Sequence, residues 1–182
     1  VNPNLAVSVL VQNVAGSILY EYGTPEQREI ARRVIAGECM VAITVTEPEA
    51  GNDVAGLKTE AVRDGDHWVL NGTKSFITLG GDADVLVTLA RVDRAAGRNG
   101  MAVFAVDRNT PGVTTRQIET YVNRPAPTYR VILDNVRVPQ SRRVNAGFRE
   151  IMAGFNRERV MVAARWLGHM QHALAWAREY AN

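Results

Sequence analysis

Val45-Thr46-Glu47-Pro48-Glu49-Ala50-Gly51-Asn52-Asp53 is the stretch on which the fold turns. Strand-like residues precede it from Met40 to Thr46, mostly β-branched or apolar. Then the pattern breaks. Pro48 has no N–H for a β ladder, and Gly51 can take positive φ. Asn52 and Asp53 can hydrogen-bond the nearby backbone. A strand that stops in such a loop presents backbone N–H groups and small side chains at its end. That suits a flat polar ring or a pyrophosphate that must approach the backbone closely. The same residues also read as a plain surface turn between two strands.

Downstream the period is β as far as Pro139. Strands are predicted at 40–46, 57–63, 67–71, 74–78, 84–92, 101–107, 113–118 and 129–138. Asp64-Gly65-Asp66 and Asn71-Gly72 read as hairpin turns, with glycine where positive φ is wanted. Gly80-Gly81-Asp82, the run from Arg94 to Gly100, and Thr110-Pro111-Gly112 read as loops or turns. About eight short strands, punctuated this way, predict an antiparallel β-barrel or sandwich. There is no βαβ alternation, no GxGxxG and no P-loop, which disfavours a Rossmann domain.

Helical periodicity is confined to the two ends. Residues 3–22 are apolar nearly all round, with Leu5, Val9, Gln12 and Gly16 on one stripe and Leu10, Val14 and Ile18 beside it. Such a helix packs against others. Thr24-Pro25-Glu26-Gln27 then starts a second helix. Thr24 can cap, Pro25 suits the first helical position, and Gln27 completes a capping box. That helix runs to about Ala36, with Arg32 and Arg33 in its last turns, where cations favour the helix dipole. Gln140 to Ala146 is polar and basic. A long helix begins near Gly147. Its Phe148, Ile151, Met152, Phe155, Val162, Ala163, Trp166, Leu167, Met170 and Leu174 fall at helical spacing and read as core packing.

Bulk properties narrow the function. Of 182 residues, 46% are apolar and 22% charged, ordinary for a soluble globular protein. A net charge of +2, from 21 basic and 19 acidic residues, is too balanced for a nucleic-acid or anionic-membrane partner. No apolar run is long enough to span a membrane. The single Cys39 excludes an internal disulfide and fits a reducing compartment. His67, His169 and His172 have no metal-ligand companions, so no metal is expected. Lys74 reads as a solvated strand residue rather than a Schiff-base or phosphate lysine. Both ends of the chain look cut, so it is read as a piece of a longer polypeptide.

The loop at Thr46 resembles the first signature of the acyl-CoA dehydrogenase family, Thr-Glu-Pro-x-Ala-Gly-Ser-Asp, with Asn52 at the Ser position. The resemblance continues through Asn71-Gly72-Thr73-Lys74-Ser75-Phe76-Ile77-Thr78 and Asp134-Asn135-Val136-Arg137-Val138-Pro139. It reaches the helix carrying Glu158-Arg159. These signatures stand in the family's order over nearly the whole chain. The fold class implied is α+β, a central antiparallel β-barrel or sandwich of about eight strands. Helices of truncated N- and C-terminal helical domains flank it. Residues 1–38 would end the N-terminal helical domain, 39–140 form the flavin and acyl-CoA domain, and 146–182 start the C-terminal one.

The resemblance also implies FAD, lined by Ile43 to Asn52. Val45 and Thr46 would lie beside the isoalloxazine ring, with Thr46 hydrogen-bonding a ring nitrogen or oxygen. Gly51 and Asn52 would lie nearer the pyrophosphate and the acyl-CoA entrance. Asn52 can donate and accept as Ser does, but is larger. Phe76-Ile77-Thr78 stands where the family commonly has Trp-Ile-Thr. Phe76 would stack on the flavin edge and Thr78 would supply a hydrogen bond. On composition alone Phe76 reads as a buried strand residue. Asn156 and Arg159 match positions that contact the CoA portion of the substrate. Arg124 and Thr128, in Asn123-Arg124-Pro125-Ala126-Pro127-Thr128, resemble a loop near the cofactor or subunit interface.

The function implied is α,β-desaturation of an acyl-CoA thioester. A glutamate removes the α-proton while the β-hydrogen leaves as hydride to the flavin. In most members that base lies far downstream, beyond Asn182. In isovaleryl-CoA and long-chain acyl-CoA dehydrogenases it lies at the position of Glu158. A Glu between two arginines also reads as a helix ion pair. An electron-transfer flavoprotein would take the electrons from a full-length homodimer or homotetramer. The setting would be the cytoplasm, or the mitochondrial matrix in a eukaryote. Alternatives are an acyl-CoA oxidase or flavin monooxygenase of the same fold, a non-catalytic FAD- or acyl-CoA-binding module, and a purely structural β domain. The piece alone is expected to hold FAD weakly and to show little activity.

Overall fold

The computed structural model describes residues 3–121 and 124–181. The elements are α1 (Pro3–Tyr22), α2 (Pro25–Ile35), β1 (Val41–Thr44), β2 (Glu60–Asp64), β3 (His67–Thr78), β4 (Val85–Arg91), β5 (Met101–Asp107), β6 (Val113–Ile118), β7 (Thr128–Pro139), β8 (Arg143–Val144) and α3 (Phe148–Ala181). Asn123 of the Arg124 loop lies outside the described residues.

The Thr24 capping box forms. Gln27 N donates to Thr24 Oγ1 at 3.4 Å, and Thr24 N donates to Gln27 Oε1 at 3.1 Å. Gln27 is itself buried, and its Nε2 donates to Ser141 O at 2.7 Å. The cap therefore also fastens α2 to the segment after β7. Gly37, at φ 77°, closes the helix end.

Eight strands make one mostly antiparallel sheet in the order β6-β7-β3-β2-β4-β5-β8, with β1 parallel beside β4. The sheet does not close along this path, so the sandwich alternative describes it better than the barrel. Its two faces carry two cores. Val85, Val87 and Leu89 of β4 and Val103 of β5 pack toward Ile18, Leu19 and Ile151 of the helices. Leu86, Ala90 and Phe104, alternating with them, pack with Trp68, Leu70 and Val136 on the other face. Burial on both faces explains why β4 and β5 read as continuous apolar runs.

Three sequence expectations change. Asn71-Gly72 is not a turn. β3 runs through it, with a register shift between Leu70 and Gly72 against β7. Gly72 is there for close approach, since a Cβ would lie 2.3 Å from Thr59 Oγ1. The strand expected at 57–63 pairs only from Glu60, because Val54–Gly56 forms a single tight helical turn. Core packing holds for Ile151, Phe148, Met152 and Phe155 of α3, but Trp166, Leu167, Met170 and Leu174 are exposed. Helical spacing reveals an apolar face without revealing a partner for it.

Candidate functional site

β1 runs beside the first half of β4 and ends at Thr44, whereas β2 meets β4 only at Glu60↔Arg91. The loop between them sits in the gap. Glu47 and Ala50 close it on themselves with reciprocal backbone bonds of 3.1 and 3.2 Å. Thr46 O accepts from Ser75 N at 2.9 Å, joining the loop to the second half of β3.

The Glu47 side chain turns inward. Oε2 accepts from Lys58 N at 2.6 Å, and Oε1 accepts from Thr59 N at 3.0 Å and from Lys74 Nζ at 2.9 Å. Lys74 Nζ also donates to Val45 O at 3.0 Å. Side-chain exposures of 0% for Lys74 and 2% for Glu47 correct the solvated reading of this lysine. Burial lowers the ammonium pKa to about 8, against the opposing pull of Glu47. Burial would raise the Glu47 carboxyl, but the Lys74 charge and the hydrogen bonds outweigh it and hold the group below its ordinary value. The asymmetry follows from the bonds. The carboxylate receives backbone N–H donors in addition to the ammonium, while the ammonium has only a carbonyl besides the carboxylate.

A second register shift, between Lys74 and Ile77, explains the inward lysine. Phe76 sits in this bulge at φ 59°, a strained value for an aromatic residue. The kink buries Ser75 and turns Phe76 out to 63% exposure, against its reading as a buried strand residue.

These features bound a recess of about 210 Å³. Ile43, Val45 and Thr46 form one wall, and Phe76, Ile77 and Thr78 the other. Val11 of α1 and Phe155 and Glu158 of α3 complete it. Glu158 is half-buried, and burial raises its pKa above the usual carboxylate range despite the nearby Arg159 charge. A larger groove of about 550 Å³ lies between α1 and α2. Its lining, including Val9, Gln12, Tyr20 and Ile35, has no carboxylate, ammonium or guanidinium group, so it brings little chemistry.

The structure thus gathers Ile43, Val45, Thr46, Phe76, Ile77, Thr78 and Glu158 at one recess. Gly51 and Asn52 are exposed farther along the loop and do not line it. Asn156 and Arg159 are exposed, with Arg159 Nη1 donating to Asn156 Oδ1 on the outer side of α3. Val11, Lys74 and Glu47 escape sequence reasoning. Nothing local marks an apolar helix residue as a lining group, or a lysine as the partner of a glutamate 27 positions away.

Residues 42–136 match the family model described as acyl-CoA dehydrogenase, middle domain. Residues 145–182 match the one described as acyl-CoA dehydrogenase, C-terminal domain. The chain belongs to the acyl-CoA dehydrogenase family. It is 36% identical over 182 residues to cyclohexane-1-carbonyl-CoA dehydrogenase of Syntrophus aciditrophicus, covering 97% of this chain and 47% of that protein. A glutaryl-coenzyme A dehydrogenase in complex with glutaryl-CoA superposes at a TM-score of 0.95 with 32% identity, over 100% of this chain and 47% of that one. A Mycobacterium smegmatis glutaryl-CoA dehydrogenase in complex with FADH2 gives a TM-score of 0.80 at 36% identity, over 86% and 40% of the two chains. The chain therefore spans about half the length of the relatives it matches.

The recess of this acyl-CoA dehydrogenase homologue fits a flavin ring on its own chemistry. Its walls are aliphatic and aromatic, as a flat polarisable ring requires, and Thr46 and Thr78 offer hydroxyls for the polar edge. At about 210 Å³ it is smaller than pockets that enclose a whole drug-sized ligand. A group of ring size would fit it, and the remainder of a dinucleotide would then lie outside.

Proposed function

We propose that the protein to which this chain belongs carries out FAD-dependent α,β-dehydrogenation of an acyl-CoA thioester. One observation carries the reading. A half-buried carboxylate of raised pKa, Glu158, faces a recess of mixed lining, in which Val45, Ile77 and Phe76 stand beside the threonines Thr46 and Thr78. Val45, Ile77 and Phe76 would hold the isoalloxazine ring, with Thr46 and Thr78 hydrogen-bonding its polar edge. The flavin supplies the acceptor for the substrate's β-hydrogen, leaving as hydride. Glu158 receives the α-proton in this reading. Its raised pKa makes it a stronger base than an ordinary glutamate and moves it toward the working pH. With the ring in place, Val11, Ile43 and Phe155 would shield that proton transfer from water on their side of the recess. An electron-transfer flavoprotein fits as the oxidant of the reduced enzyme.

Anaerobic titration of the full-length protein with a panel of acyl-CoAs tests this. Bleaching of the visible flavin band identifies the dehydrogenase reaction, and the most effective thioester identifies the substrate class. Glu158→Gln should bind acyl-CoA and fail to bleach. Bleaching at the wild-type rate in that variant would move the base elsewhere. A protein that binds flavin but never bleaches would be a binding module instead.

A further inference from the structure

The two walls of the recess come from separate parts of the chain, and buried contacts tie them together. Thr46 O accepts from Ser75 N at 2.9 Å. Lys74 Nζ reaches from β3 to Val45 O at 3.0 Å and to Glu47 Oε1 at 2.9 Å. Glu47 in turn holds Lys58 N and Thr59 N, the far end of the loop. The ammonium thus binds the carbonyl of a lining residue on one wall. Two residues along its own strand stands Phe76, strained at φ 59°, largely exposed, and lining the recess on the other wall. A buried ion pair is seldom a better source of stability than an apolar pair of the same volume. What it supplies here is a fixed distance and direction, because both groups are fully enclosed and multiply bonded.

We propose, building on the flavin reading of this recess, that Lys74 is a positioning residue. Its ammonium, held between Val45 O and the Glu47 carboxylate, sets the spacing and tilt of the Val45–Thr46 wall against the Phe76–Thr78 wall. The flavin ring is gripped between those walls. Lys74 touches neither flavin nor substrate and acts through the carbonyl it holds.

The test uses the full-length protein. Wild type, Lys74→Met and the Lys74→Met/Glu47→Gln double variant are stripped of flavin and titrated with FAD. Affinity, visible circular dichroism of the bound flavin and melting of the flavin-free protein are read for each. The single variant should melt low, because it buries an unpaired carboxylate. In the double variant, melting should rise above the single variant, short of wild type by the acceptor that Lys58 N loses. Its FAD affinity should stay about tenfold weaker, the scale of one lost hydrogen bond, with an altered flavin dichroism. A folded double variant with wild-type affinity and dichroism would overturn the proposal, leaving the pair a packing feature. Should the double variant not fold, Glu47→Gln alone carries the test, since its amide oxygen keeps the Oε1 acceptor for Thr59 N and Lys74 Nζ and gives up only the one for Lys58 N. Weaker FAD binding with changed dichroism then supports the proposal, and wild-type values overturn it. A wild-type protein that takes up no FAD would overturn the flavin reading itself, and the proposal with it.

Discussion

Glu158 and Lys74 are both ionisable groups that the fold has moved away from water, with opposite consequences. Glu158 has a raised folded pKa, so folding disfavours its ionised form. The penalty is complete above the folded pKa and vanishes below the unfolded value near 4.5. Glu158→Gln should therefore raise the melting temperature at pH 8 and leave it nearly unchanged at pH 4, by differential scanning calorimetry. A stabilising change that abolishes bleaching would be the signature of a functional carboxylate. Lys74 is paired, and removing one partner leaves the other buried and uncompensated. Lys74→Met should cost about 3–5 kcal/mol in urea unfolding at pH 7. The Lys74→Met/Glu47→Gln pair should recover part of it, because two neutral groups of similar volume replace two desolvated charges while the amide gives up the acceptor for Lys58 N.

At the scale of elements, the strands that matter are irregular ones. β3 carries two register shifts, and each places something a regular strand would misplace. The first lets β3 pass close to Thr59 at Gly72. Gly72→Ala would put a Cβ 2.7 Å from Thr59 Cα, a backbone atom with little freedom to move. It should cost about 1–3 kcal/mol or more, as overpacking does. The second shift turns Lys74 inward and Phe76 outward. Helix α2 shows a cap with a second task. Thr24→Ala should cost about 1 kcal/mol in thermal or chemical unfolding. Gln27→Ala should cost more, because it also leaves Ser141 O without its buried donor. A Gln27 variant no worse than the Thr24 variant would show that the tie to the β7 exit contributes nothing. In α3, hydrogen exchange should be slow around Ile151 and Gly154, which are buried, and fast beyond Met161, where the apolar side chains are mostly exposed.

For the molecule as a whole, the loop at Thr46 makes stability depend on pH. Glu47 has a lowered folded pKa, so its contribution is present above the unfolded value of 4.5 and is lost as pH falls through the folded one. Lys74, lowered from 10.5 to about 8, works in the opposite range. Between those values the unfolded chain binds a proton that the folded site has released, so stability from this site rises with pH. The melting temperature of wild type relative to the double variant should therefore climb from pH 8 to pH 10 and fall at acid pH. A constant difference would mean that the pair keeps its ordinary pKa values in the folded state. The sequence by itself determined the class of fold and the outline of the recess. Strand alternation, the Thr24 box and the Asp64-Gly65-Asp66 turn are local, set by backbone freedom and side-chain period. The Thr46 loop could be singled out because its residue types break a strand abruptly, whereas the Phe76-Ile77-Thr78 stretch stood out only through its resemblance to the family's signature. Only the tertiary structure decided that Asn71-Gly72 is a bulge, that Phe76 faces outward, and that Glu158 rather than Asn156 or Arg159 faces the recess. It alone joined Lys74 to Glu47. Each of those depends on which atoms of a distant segment fill the space beside the residue. A charged side chain enters the interior only when such a segment brings it a partner.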